Sequence, residues 1–234
     1  MMGVMMTDTR SLTASFERIF RRFVKGSERP SKREMADAVA WLLSRQVTAG
    51  RRQGMFQPLP ADLLNSAQLP TGERLKTKLA AWNVFSHEAV RALQMLAPSQ
   101  EPVRAATTRA FQIFSRQCYA QQHCAIGECA HSAISYMRLL AASDGSSHMT
   151  WVDEQLKLLR AHRLSTGRWR RFPFYFTLLA LLEVRSPAAN AELKHARPAC
   201  ERAVRRASNG ALTTLRQSLL HRVLENTDRA RSLF

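Results

Sequence analysis

Five side chains that can ligate a soft metal or attack an electrophile crowd one short stretch: Cys118, His123, Cys124, Cys129 and His131. Thiolate and imidazole are the ligands that zinc and its neighbours prefer. The spacing is C-x5-C-x4-C-x-H. Standard zinc modules instead use short Cys-x2-4-Cys knuckles. Cys129 and His131 cannot share one helix face, yet both can converge at a frayed helix start. Cys118, Cys124, Cys129 and His131 therefore form a candidate metal site, with zinc as the possible cofactor. The competing reading makes each cysteine a small buried hydrophobe. A thiolate nucleophile needs an orienting third residue as well as a base, and none can be assigned.

Glu128 and His131 stand three residues apart, so on a helix carboxylate and imidazole can touch and exchange a proton. With Ser135 and Arg138 they form one polar stripe, opposite Ala130, Ala133, Ile134, Met137, Leu140 and Ala141. If that stripe lines a cavity, Glu128 and His131 are candidate catalytic residues. If it faces water, it is an ordinary solvated face.

A third group is Arg168, Trp169, Arg170 and Arg171, which runs into an apolar helix opened by Pro173. Helix N-termini attract anions, and arginine adds bidentate contacts to phosphate or carboxylate. An apolar pocket behind such a mouth would suit an amphiphile with an anionic head, an acidic peptide or nucleic-acid phosphates. The alternative is a solvated loop. Arg197, Arg202, Arg205, Arg206, Arg216 and Arg222 make the C-terminal part basic as well. Aromatics are almost missing there, so any nucleic-acid contact would be to backbone.

The elements that must position these groups are helices. Residues 12–25 read as a basic amphipathic helix, with Leu12, Phe16, Ile19, Phe20 and Phe23 on one face. Such a helix lies on an anionic membrane or packs on its own protein. Ser31-Lys32-Arg33-Glu34 is a capping box that starts a helix reaching about residue 46. Residues 50–70 read as a long loop. Thr71-Gly72-Glu73 reads as the opening of a long helix ending before Pro98. Pro102 starts another, and helices follow over 127–142 and from about 150 to 163. Residues 173–184 are apolar on every side, so that helix must be surrounded by protein or lipid. Two further helices follow, with a break at Ser208-Asn209-Gly210 and a kink at Pro198.

Composition narrows the partners. The formal charge is +17, from 35 basic against 18 acidic residues. A field of this sign favours nucleic acid, anionic lipid or an anionic small molecule, unless the spread-out arginines are simply solvated. The run 172–182 is about half of the roughly 20 residues a membrane span needs. Residues 1–6 are too short for a signal-peptide core, so the expectation is a cytoplasmic protein with reduced thiols. No Walker loop, dinucleotide glycine fingerprint, HExxH or GxSxG occurs.

A faint repeat underlies the helices. Leu43-Ser44-Arg45-Gln46 is echoed by Phe114-Ser115-Arg116-Gln117, and Leu158 to Arg163 holds the same place in a third copy. The pattern is helix, Arg-Gln or Arg, glycine loop, inner helix. Such pairs must stack to bury their apolar faces. Residues 151–184, above all Gly167-Arg168-Trp169 and Phe172-Pro173-Phe174-Tyr175, resemble a repeat of the prenyltransferase and squalene-cyclase class. That resemblance implies an α/α toroid around a cavity. Members of the class bind zinc through Asp, Cys and His, an arrangement this chain does not reproduce. The acidic run of the cyclases is also absent.

The expected fold is all-α: stacked helical hairpins, a partial α/α toroid or a helical-repeat array. Residues 1–30 form the basic N-terminal helix and residues 31–234 one repeat domain. The leading function is a non-catalytic scaffold or binding protein. Its arginine-lined surface would engage an anionic partner, an acidic protein or an amphiphilic ligand. The alternatives are a toroid-type enzyme acting on a prenyl or other anionic amphiphile, metal-assisted, and a sequence-independent nucleic-acid binder.

Overall fold

The computed structural model describes residues 15–16, 18–19, 31–64, 67–143, 147–206 and 214–229. Among them the protein is all-α, with ten helices. Two compact units divide the chain, Met1–Cys124 and Ala125–Phe234. Most of the helix expected over 12–25 lies outside the described residues. Ser15, Phe16, Arg18 and Ile19 are helical there, and Phe16 and Ile19 are buried. The Phe16 ring sits 6.4 Å from that of Phe85, so this face packs on its own unit. The breaks expected at 144–146 and 208–210 also lie outside the described residues.

In the first unit, helix α1 (Lys32–Ser44) begins where the capping box places it. The Ser31 hydroxyl accepts from the Glu34 N–H at 3.2 Å, and the Glu34 carboxylate accepts from the Ser31 N–H at 2.8 Å. A short helix α2 (Pro60–Leu64) interrupts the expected loop. The next helix, α3 (Lys78–Leu96), starts later than Thr71-Gly72-Glu73 implied. Those residues instead turn the chain back on itself. Gly72 sits at φ +79, the Leu69 N–H donates to Glu73 O, and the Leu75 N–H donates to Ala67 O. A left-handed glycine ends regular helix rather than starting it. Thr77 is the true cap, its hydroxyl accepting from the Ala80 N–H at 3.2 Å. Helix α4 (Glu101–Phe114) has proline in its first turn, where no N–H is needed. Helix α3 is buried nearly all round from Ala80 to Leu93 and packs against both α1 and α4. The short helix α5 (Cys118–Gln121) places Tyr119 in the core.

The second unit holds α6 (Cys129–Ala142), α7 (Ser147–Ala161), α8 (Phe174–Val184), α9 (Pro187–Arg206) and α10 (Thr214–Arg229). Packing alternates. Helix α8 contacts α6 and α10, while α7 contacts α9, and α6 pairs with α7, α8 with α9 and α9 with α10. These are stacked helical hairpins, each burying a face the other cannot cover alone. The apolar helix of the sequence is α8, buried from Phe176 through Leu182. It ends at Arg185 in the left-handed conformation, and Pro187 opens α9. Among the described residues no helix is long and apolar enough to cross a membrane.

Both units use one device to turn from an outer helix towards an inner one. After α1, Gln46 pairs in an antiparallel bridge with Phe56; after α7, Arg163 pairs likewise with Trp169. Each loop carries Gly-x-aromatic: Gly54-Met55-Phe56 and Gly167-Arg168-Trp169. Both glycines have positive φ, and both press on the backbone of a later helix. A methyl group at Gly54 would lie 2.9 Å from Arg109 O, and one at Gly167 would lie 3.1 Å from His195 O. The aromatic is buried in both. The echo at Phe114 to Gln117 lacks the device: the chain there enters α5 directly, and Gln117 bonds back to Ile113 O.

Candidate functional site

Each of the groups singled out by sequence has a definite place. Trp169 is buried, and its indole N–H donates to Glu192 Oε2 at 2.9 Å. Arg163 donates to the same carboxylate at 2.8 and 3.0 Å. So Trp169 serves the α7–α9 joint. The guanidinium of Arg168 lies 4.5 Å above the Phe174 ring, while Arg170 and Arg171 are exposed, with Arg171 at φ +72. The apolar residues behind them are filled core: Phe172, Pro173 and Phe174 are all buried.

The polar stripe of α6 neither faces water throughout nor stays on one boundary. Ser135 and Arg138 are buried, whereas Glu128 and His131 are half-buried in the first turn. Glu128 is the N-terminal cap residue of α6 and makes no side-chain cap bond there. Arg138 donates to both oxygens of Glu183 on α8, at 2.9 and 3.1 Å, and lies 5.0 Å from the Phe176 ring centre.

Cys118 and Cys124 fall at the end of the first unit, Cys118 exposed and Cys124 half-buried, while Cys129 is half-buried at the start of the second. His131, the fourth residue of the expected ligand set, is half-buried in the first turn of α6. Several C-terminal arginines are engaged internally. Arg197 donates to Glu201, Thr227 and Asp228, Arg202 donates to Thr166 O, and Arg216 stacks on Tyr175.

One site escaped the sequence reading. Ahead of α3 lies a cavity of about 400 Å³, its apolar lining supplied by Leu63, Ala67, Leu75 and Ala81. Arg74, Lys76, Thr77 and Lys78 line the rest. The apolar residues Ala67, Leu75 and Ala81 are buried, and the three cations are exposed. Among the described lining residues none is a carboxylate. The turn at Gly72 brings Arg74 and Lys76 beside the start of α3, whose first turn adds positive potential. Leu79, in the first turn of α3 next to Lys78, is an exposed large hydrophobe, 59% accessible. The available signal was the run Arg74-Leu75-Lys76-Thr77-Lys78, three cations within five residues and no acid among them.

No family model, curated protein or solved structure matches the chain.

Proposed function

We propose that the protein is a non-catalytic helical-repeat binding protein whose ligand is an anionic amphiphile held in the cavity ahead of α3. The observation that carries this reading is that four apolar residues and three cations line one cavity. The volume falls within the roughly 300–1,000 Å³ common for small-molecule sites. Arg74 supplies a forked donor for phosphate or carboxylate, and Lys76 and Lys78 add charge. Leu63, Leu75 and Ala81 receive a short apolar tail. The net charge of +17 favours encounter with any anion. Stacked hairpins of this kind commonly serve binding, and nothing in the placement of Glu128 and His131 favours the enzyme reading over it.

Octyl phosphate is the probe, with octanol and inorganic phosphate as controls, measured by calorimetry on the full chain. Octyl phosphate is expected to bind more tightly than either control. Replacing Arg74, Lys76 and Lys78 together with Ala is expected to weaken it by about tenfold or more, as two or three charge-assisted contacts disappear. No binding, or binding indifferent to that replacement, overturns the reading. Binding of oligonucleotide without octyl phosphate would move the function to nucleic acid.

A further inference from the structure

Leu79 stands out of the first turn of α3 with 59% of its surface exposed. Among the described residues two other large hydrophobes are exposed, Ile126 and Met149. Neither has a lysine or arginine within five residues on either side, whereas Arg74, Lys76 and Lys78 all fall within five residues of Leu79. A single exposed leucine is ordinary, so the charges beside it decide what it can meet.

A fourth cation reaches the same place from another part of the chain. The guanidinium of Arg52 lies 4.3 Å from the centre of the Trp82 ring. Trp82 follows Leu79 by three residues and Lys78 by four, so the three share one side of α3. Arg52, Arg74, Lys76 and Lys78 are all exposed. The acids nearest to them in sequence are drawn inward. Asp62 is buried, and Glu73 is half-buried and accepts from the Thr71 hydroxyl.

An exposed aliphatic side chain beside several cations matches the boundary of an anionic bilayer. The leucine enters the acyl edge, and the cations meet the charged headgroups. A nucleic-acid strand would engage the cations but gains nothing from an isolated leucine, since bases stack on aromatic rings.

We propose that the face of the first unit carrying Arg52, Arg74, Lys76, Lys78 and Leu79 docks on an anionic membrane surface, and that the cavity ahead of α3 draws its amphiphile from that bilayer. The supply of the amphiphile rests on the cavity reading above; the docking face does not. Lys78 and Ala81, on either side of Leu79 in α3, also line the cavity, so the docked face and the cavity adjoin. Each cation near the surface strengthens binding about fivefold, and burial of one leucine side chain about tenfold.

The experiment sediments the full chain with vesicles of phosphatidylcholine, with and without phosphatidylserine, and measures octyl phosphate binding beside it by calorimetry. Binding is expected to the anionic vesicles and at least about tenfold more weakly to the neutral ones. The described lining of the cavity includes neither Leu79 nor Arg52. Leu79→Ser is therefore expected to weaken vesicle binding by about tenfold and Arg52→Gln by about fivefold, with octyl phosphate binding and helical circular dichroism unchanged. Equal binding to both vesicles, or anionic binding indifferent to Leu79→Ser, overturns the docking face. Octyl phosphate bound without vesicles also overturns it and leaves the cavity reading standing. Vesicles bound without octyl phosphate overturn the cavity reading, and with it the supply of the amphiphile, while keeping the docking face. A short DNA duplex bound in place of vesicles overturns the membrane face and assigns the cations to nucleic acid.

Discussion

Arg138 and Glu183 join two inner helices through a bidentate ion pair in which the arginine side chain is 1% exposed. Arg138 comes from α6 and Glu183 from the last turn of α8, and the Phe176 ring covers the guanidinium. A pair of this kind specifies which helix faces meet more than it adds net stability. Arg138→Ala is expected to destabilise by about 2–4 kcal/mol, because it empties a buried side-chain site and removes the partner of the Glu183 carboxylate, which is 19% exposed. Replacing both, Arg138→Met with Glu183→Leu, is expected to recover most of that loss. Thermal melts of the single and double variants check this; a double variant no better than Arg138→Ala would contradict it.

The two glycine turns make a matched pair of predictions. Gly167→Ala puts a methyl against His195 O and Ala199, at φ +76. Gly54→Ala puts one against Arg109 O at 2.9 Å, at φ +91. Each is expected to cost at least about 1–3 kcal/mol, from unfavourable φ plus the close contact. Gly50 also has positive φ, but nothing lies near its added methyl. Gly50→Ala is therefore expected to cost less than either. Chemical denaturation of the three variants ranks them.

His87 makes stability depend on pH. It is fully buried, its Nε2 lies 2.8 Å from the Tyr119 hydroxyl, and its ring meets Phe114 edge-on at 4.5 Å. Burial lowers its pKa from 6.5 to about 3. The unfolded chain then binds a proton that the folded chain refuses. This contribution is full above pH 6.5 and is lost as pH falls from 6.5 towards 3. The slope approaches about 1.4 kcal/mol per pH unit inside that window. His87→Gln is expected to be less stable at neutral pH yet to show a flatter profile on acidification. An unchanged slope would assign the acid sensitivity elsewhere.

Binding ahead of α3 is expected to respond to salt. The three cations are exposed, so their attraction is screened over about 10 Å at 0.1 M salt. Octyl phosphate affinity is expected to fall several-fold between low salt and 0.5 M sodium chloride, while the apolar part persists. Leu75→Ala is expected to weaken the octyl compound without changing inorganic phosphate. Affinity insensitive to both would mean that the ligand sits somewhere else.

Local chemistry in the sequence determined much of this protein by itself. The Ser31–Glu34 box starts a helix because its partners are three residues apart. The run from Phe174 had to be an interior helix, since no side chain along most of it can satisfy water. The Arg or Gln before each glycine loop signalled stacked hairpins. Tertiary structure decided what local pattern left open. Thr71-Gly72-Glu73 looked like a cap, but cross-turn bonds between Leu69 and Glu73 and between Leu75 and Ala67 win the backbone there. Trp169 looked available to a ligand, yet Glu192, 23 residues away, takes its N–H. Arg138 looked like part of a solvent stripe until Glu183, 45 residues away, paired with it. The three cations ahead of α3 line a cavity only when the chain turns at Gly72. Hydrogen bonds and ion pairs act through distances of a few ångströms, and only the folded chain sets those distances.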